Sequence, residues 1–113
     1  MLVFLRGIYR ESIALNALLP CDWKMMLEKK IEERLRKKAK EAGGLAAKWV
    51  SPSMSGVPDR IVFLPGGKII FVELKRPGEK PTPLQNRIIE ILRGLGADVR
   101  VVDSMEKVDE IFR

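Results

Sequence analysis

The first clear pattern in the chain is an apolar residue at every third or fourth position between about Lys24 and Ala42. The residues that share this spacing are Leu27, Ile31, Leu35, Ala39 and Ala42. Such spacing is typical of a helix that buries one face. Asp22 can cap the first turn, and Gly43-Gly44 follows where helices commonly end. The pattern therefore predicts an amphipathic helix over residues 24–42.

Shorter runs rich in β-branched and aromatic residues come next, and they predict strands. These runs are "LAAKWV" (45–50), "DRIVFL" (59–64), "KIIFVELK" (68–75) and "ADVRVVD" (97–103). The intervening "PGG" predicts a hairpin between the second and third. Thr82 as N-cap and Pro83 in the first turn predict a helix that reaches about Arg93. Ser104 or Asp103 is expected to cap a closing helix that runs to Phe112.

The predicted order is helix, three strands, helix, strand, helix. Helices that bury apolar stripes against one sheet give an α/β fold, here a mixed sheet flanked by helices. Residues 1–22 fit this unit poorly. They are predicted to be an N-terminal extension: a helical segment, a disordered tail, or an upstream read-through before a true start at Met25 or Met26. Residues 23–113 are predicted to form the folded domain.

Composition narrows the chemistry that is open to the protein. A chain of 113 residues with 46% apolar and 32% charged residues fits a single globular domain. A single cysteine, Cys21, excludes an internal disulfide and a multi-cysteine zinc site, and it fits a reducing cytoplasm. The absence of histidine excludes histidine general bases, histidine–metal centres and Ser-His or Cys-His nucleophiles. An enzyme of this composition must work with carboxylates, lysine and polar side chains, and a hard metal ion is the expected cofactor, with no organic cofactor expected.

Charge and hydropathy indicate the class of partner. The net charge is +6 and the pI is about 9.7, which favours an anionic partner, with nucleic acid as the first choice. Uncharged stretches such as Ser12–Cys21 are too short to cross a bilayer, so no membrane partner is expected.

Charged residues interrupt the apolar strand "KIIFVELK". Glu73 and Lys75 are two residues apart and point to the same face, while Leu74 points to the other. Pairing across the hairpin brings Asp59, at the start of the preceding strand, level with Glu73. Two carboxylates that meet at one point suit Mg²⁺ or Mn²⁺, with the Leu74 carbonyl as a further ligand and Lys75 beside the attacking water. The alternative is an exposed Glu73–Lys75 pair on an edge strand.

The first helix can supply a third carboxylate. Glu28 lies closer than Glu32 to the centre of the apolar stripe, so Glu28 is the first candidate and Glu32 the second. Lys38 lies as near the centre as Glu28. The alternative for both glutamates is a solvated helix face with ion pairs to lysines one turn away.

The run "GVPDRIVFLPGGKIIFVELKRPGEKPTPLQ" (56–85) resembles the core of the VRR-NUC (virus-type replication-repair nuclease) domain, a branch of the PD-(D/E)XK nuclease superfamily. The resemblance includes "EKKIEERL", "GGLAAKWVSP" and "GADVRVVDS", and it covers roughly residues 25–112. It implies a restriction-endonuclease-like αβββαβ core. It also implies metal binding by Asp59 and Glu73, catalysis by Lys75, and a contribution from Glu28.

The resemblance also assigns a site role to Gln85, the glutamine that follows the third strand. A second interpretation is open, because Thr82-Pro83-Leu84-Gln85 is also a capping box, in which the glutamine ties down the start of a helix. Both roles can hold together.

Basic residues that are expected to flank the proposed centre would steer and hold phosphates. They are Lys48, Arg60, Lys68, Arg76 and Lys80. No helix with base-reading character is evident, so binding is expected to follow the shape and backbone of the nucleic acid.

The function predicted from the sequence is a metal-dependent DNA endonuclease. Small stand-alone members of the family resemble phage proteins that cut branched DNA such as four-way junctions, which implies a homodimer. Two alternatives are a monomeric flap or nicking nuclease module of a repair machine, and a non-catalytic nucleic-acid-binding domain.

Overall fold

The structure, a computed structural model, describes residues 23–113. Its elements are α1 (Trp23–Glu41), β1 (Leu45–Lys48), β2 (Arg60–Leu64), β3 (Lys68–Leu74), α2 (Pro83–Gly94), β4 (Asp98–Val102) and α3 (Met105–Ile111). Their order is the predicted one, and their ends lie within a few residues of the predicted bounds. The predicted Asp22 cap and the predicted extension over 1–22 lie outside the described residues.

The four strands form one mixed sheet in the order β1-β2-β3-β4. β1 pairs antiparallel with β2, and β2 pairs antiparallel with β3, whereas β4 pairs parallel to β3 after the α2 crossover. The turn at 65–67 joins β2 to β3 as predicted, with both of its glycines at positive φ. β3 is therefore a central strand and β1 is an edge strand.

Two helices cover one face of the sheet. Ile31, Leu35 and Ala39 of α1 pack with Val108 and Ile111 of α3 against strand residues of this face. These strand residues are Ala46, Val62, Ile70, Val72, Leu74 and Val102. The 3.6-residue spacing noted in the sequence is thus the spacing of the core itself.

α2 lies on the opposite face. Its buried residues Ile88 and Ile89 are separate from the first core, and α2 contacts β4. Val99 of β4 is buried and lies three residues before Val102, so the two side chains point to opposite faces. The α/β architecture with helices on both faces of a mixed sheet is confirmed.

Short-range contacts end the elements where the sequence indicated. Gly43 has φ 84° and closes α1, with its N–H donating to the carbonyl of Lys40. Ser104 caps α3 through its side chain, which accepts a hydrogen bond from Lys107 N–H at 3.2 Å. Of the two residues proposed for this cap, Ser104 is the one that forms it.

Within residues 23–113 no helix is both long enough and apolar enough to cross a membrane.

Candidate active site

Asp59 and Glu73 come together at one end of the sheet. Arg60 of β2 is paired with Val72 of β3, so Asp59, one residue earlier, lies opposite Glu73, one residue later. The N–H of Leu74 donates to Oδ2 of Asp59 at 2.9 Å. This bond fixes the aspartate against the strand that carries the glutamate. The predicted convergence of the two carboxylates is present in the structure.

Glu73 and Lys75 are buried in this centre. Their exposed fractions are 2% and 8%, and Nζ of Lys75 is 3.4 Å from Oε2 of Glu73. The alternative of an exposed pair on an edge strand is therefore wrong. Oε1 of Glu73 is the one buried side-chain oxygen or nitrogen in residues 23–113 that has no hydrogen-bond partner. Leaving such an atom unpaired is costly, so it requires an explanation beyond packing.

The electrostatics of the centre disfavour two negative charges. Burial raises the pKa of the Glu73 carboxyl to about 7, with a further increase from the charge of Asp59 and an opposing effect from Lys75. Burial also raises the pKa of Asp59 above its ordinary value, against the hydrogen bond from Leu74 and the charge of Lys75. A cation at this point would stabilise both carboxylates in their charged form.

A cavity of about 300 Å³ lies beside Asp59 and is lined in part by residues of α1, whereas Glu73 and Lys75 are not among its lining residues. Glu28 and Glu32 both line it, together with Asp59 and Leu74. Oε2 of Glu32 accepts a 2.8 Å bond from Nη2 of Arg60, whereas Oε1 of Glu28 lies 3.6 Å from Nε of Arg76. The charge of Glu28 also acts on Glu73 and raises its pKa. Glu28 is therefore the better placed of the two for a third-carboxylate role.

The oxygen atoms of this centre suit a hard divalent metal ion. The unpartnered Oε1 of Glu73 and the carboxylate of Asp59 are the oxygen ligands that Mg²⁺ and Mn²⁺ prefer. Within residues 23–113 no group of three or more Asp, Glu, Cys or His side chains is arranged to hold a metal ion. The third candidate, Glu28, is turned to Arg76 instead. The residues fit a hard cation held by two carboxylates and further oxygens.

The five predicted phosphate-binding cations lie in different places. Lys48 lines the cavity, Arg76 pairs with Glu28, and Lys80 is exposed in the following loop. Arg60 does not present a free charge, because its guanidinium holds Glu32 and the carbonyl of Ala46.

Lys68 does not flank the centre, contrary to the prediction. It begins β3, whereas Glu73 lies near the end of that strand. At about 3.3 Å per strand residue the two lie roughly 17 Å apart. Lys68 and Glu73 are close in sequence, but they are far apart in space because the strand between them is extended.

Gln85 forms the capping box. Its Oε1 accepts from Thr82 N–H at 2.9 Å, and its own N–H donates to Thr82 Oγ1 at 3.2 Å. The prediction that Thr82-Pro83-Leu84-Gln85 forms a capping box is therefore confirmed. The role of Gln85 in the active site stays a prediction.

Sequence reasoning missed two residues that line the cavity and one contact beside it. Met25 and Lys29 line the cavity, and Arg60 clamps Glu32 beside it. Lys29 follows Glu28 directly and sits three residues before Glu32, so helical spacing could have indicated it. The Arg60–Glu32 pair joins a strand to a helix, and no local spacing indicates such a contact.

Gly56 shapes the loop that leads to Asp59. It has φ +85°, and a Cβ at this position would lie 3.0 Å from Cγ of Leu84 and 3.3 Å from Cγ1 of Ile88. We expect Gly56→Ala to destabilise the fold through both backbone strain and this contact. Gly78→Ala is a matched control, since Gly78 has φ +80° with nothing within 4 Å.

Denaturant unfolding measures the difference between the two variants. Gly78→Ala should cost about 1 kcal/mol, from backbone strain alone. Gly56→Ala should cost about 1–3 kcal/mol more because of the steric contact. Equal costs would show that Leu84 and Ile88 of α2 move aside without loss of stability, so that the steric contact contributes nothing.

Comparison with known proteins identifies the family. The sequence profile of the VRR-NUC domain matches residues 9–106. The chain is 52% identical over 83 residues to "Putative nuclease p44" of Acyrthosiphon pisum secondary endosymbiont phage 1, covering 74% of this chain and 89% of that protein. It is also similar to a solved structure titled "VRR_NUC domain", with a TM-score of 0.73 and 38% identity over 76% of this chain and 94% of the other. The nuclease resemblance drawn from the motifs is thereby confirmed, and the chain belongs to the VRR-NUC domain family.

Proposed function

We propose that the protein is a divalent-metal-dependent endonuclease that hydrolyses phosphodiester bonds in DNA. The observation that carries this proposal is the buried, unpartnered Oε1 of Glu73 beside a second carboxylate, Asp59. In a nuclease, an unpartnered carboxylate oxygen can serve as a ligand of the metal cation. The proposed ligands of Mg²⁺ or Mn²⁺ are Asp59, Glu73, the carbonyl of Leu74 and Glu28.

The chemistry divides between the cation and the protein. When bound, the metal polarises a phosphate oxygen and lowers the pKa of a bound water. Lys75, whose Nζ is 3.4 Å from Glu73, orients the attacking water and stabilises the negative charge that develops on the phosphate. Its burial at 8% exposure supports this role, since a charge in a site with little water acts more strongly.

The substrate is proposed to be branched DNA, with four-way junctions as the first candidate. A junction needs two cuts related by a two-fold axis, and a homodimer supplies two sites with that relation. Lys48 at the cavity and Arg76 beside Glu28 hold phosphates, with Lys80 further along the loop. The named phage relative supports a role inside a bacterial or phage-infected cell.

Cleavage of labelled four-way junction, flap and linear duplex DNA tests the proposal. Each substrate is incubated with Mg²⁺, with Mn²⁺ or with EDTA, and the protein is sized in solution alongside. We expect metal-dependent cutting, fastest on the junction, by a dimer. Cutting of flaps by a monomer would replace the junction role with that of a repair module, and no cutting of any substrate would leave a non-catalytic binding domain.

A further inference from the structure

A second groove lies between α1 and the edge strand β1. It encloses about 720 Å³, and its walls include Arg36, Lys37 and Lys40 of α1 and the whole of β1. Lys48, the last residue of β1, lines both this groove and the active-site cavity. The groove therefore adjoins the active-site cavity at Lys48. We name it the α1–β1 groove.

The α1–β1 groove is electropositive. Arg36, Lys37, Lys40 and Lys48 are exposed, and none of them forms an ion pair with another residue in 23–113. Glu33 is the one carboxylate among its lining residues in the described part of the chain. An anion in the groove would thus meet several cations that no described carboxylate neutralises.

The adjacent face of α1 uses its cations differently. Nε of Arg34 and Nζ of Lys38 lie 2.8 Å and 3.2 Å from Oδ1 of Asp109 in α3. These contacts hold the pKa of Asp109 at about 2. The cations that join α1 to α3 are therefore distinct from those that face the groove. The groove cations form no ion pair with a carboxylate among the described residues.

The groove and the active-site cavity together have the length of a short DNA segment. The α1 residues that line the groove run from Glu33 to Lys40, and from Glu28 in the active-site cavity to Lys40 α1 advances about 18 Å at about 1.5 Å per residue. One strand of duplex DNA carries a phosphate about every 3.4 Å along its axis, so this length corresponds to about five phosphates. Lys29, which lines the cavity, extends the basic surface toward the proposed metal ligands.

We propose that the α1–β1 groove binds the phosphate backbone of the DNA arm that flanks the cleaved bond. The proposal rests on the proposed nuclease function and adds to it a contact surface beyond the reacting phosphate. Arg36, Lys37 and Lys40 supply affinity and hold the arm in one direction along α1, while the bond is cut at Asp59 and Glu73. β1 adds backbone groups, because as an edge strand it has no second strand partner among the described residues.

The test compares two variants that each remove three positive charges. Arg36→Gln/Lys37→Gln/Lys40→Gln removes the groove cations. Arg87→Gln/Lys107→Gln/Arg113→Gln is the control, since none of these residues lines the groove or the active-site cavity. Binding of a four-way junction and of a duplex is measured in EDTA over a range of salt concentrations, and single-turnover cleavage is measured at saturating protein with Mg²⁺ or Mn²⁺.

The groove variant should bind DNA on the order of 10²-fold more weakly than wild type at about 0.1 M salt, and the slope of log K against log salt should fall by about 2–3. The control should keep most of the affinity and the slope, and it should cleave at the wild-type rate once saturated. Equal affinity and slope for the two variants would overturn the proposal. Binding is measured in EDTA, so the binding data test the role of the groove even if the wild-type protein cuts no DNA. An absence of cleavage would reject the proposed nuclease function and leave the proposal about the groove to the binding data.

Discussion

Glu73→Gln is expected to abolish cleavage while leaving the protein folded. Glutamine has nearly the shape of glutamate but cannot supply a charged oxygen ligand, so the proposed metal site loses its most buried carboxylate. We expect the single-turnover rate to fall by roughly 10³-fold or more, since the variant loses stabilisation of the charge that forms during hydrolysis. The assay is cleavage of the preferred substrate with Mg²⁺ or Mn²⁺.

Glu90→Gln serves as the control for this experiment. Glu90 is an exposed residue of α2, so the variant removes the same charge without touching the cavity. It should cut at the wild-type rate. Undiminished cleavage by Glu73→Gln would remove Glu73 from the active site, and with it the observation on which the proposed function rests.

The meeting of Asp59 and Glu73 could be predicted because local features determine it. The two-glycine turn sets the register of the hairpin, and the two-residue period of a strand then places the side chains. The core could be predicted for the same kind of reason. Leu35 and its neighbours at helical spacing form a stripe that must be buried, whatever it packs against.

Arg60 shows what local features leave open. It follows Asp59 directly, so the sequence suggested a cation beside the site, free to hold a phosphate. In the structure its side chain is instead engaged by Glu32, with Nη2 of Arg60 2.8 Å from Oε2 of Glu32. That contact depends on how α1 is rotated against the sheet, which core packing decides. The same rotation puts the charge of Glu28 where it raises the pKa of Glu73, and it turns Arg36, Lys37 and Lys40 toward β1.

Gln85 illustrates a different limit, because one residue can satisfy two patterns. The Thr82 capping box is a local motif, and its hydrogen bonds are present as the spacing predicts. The site role comes from the family resemblance, and a helix cap neither requires it nor excludes it.

The stability of the metal-free protein is expected to fall as the pH rises from about 4.5 to about 7. Burial raises the pKa of Glu73 from 4.5 to about 7, so in this window the folded state binds a proton that the unfolded state has released. Removing that proton costs the folded state about 3 kcal/mol, at about 1.36 kcal/mol for each pKa unit. Denaturant unfolding in EDTA at several pH values measures the loss.

Glu73→Gln should remove most of this pH dependence and should be more stable than wild type at pH 8 in EDTA. The carboxyls of Asp98, Asp103 and Asp109 cannot produce the same slope, because their partners lower their pKa values and they titrate below the window. Mg²⁺ should restore stability to wild type at pH 8 and leave Glu73→Gln unchanged, since only the ionised carboxylate can bind the ion. An identical slope in both proteins would mean that the titrating proton lies elsewhere, and the repulsion attributed to Asp59 and Glu73 would then be absent.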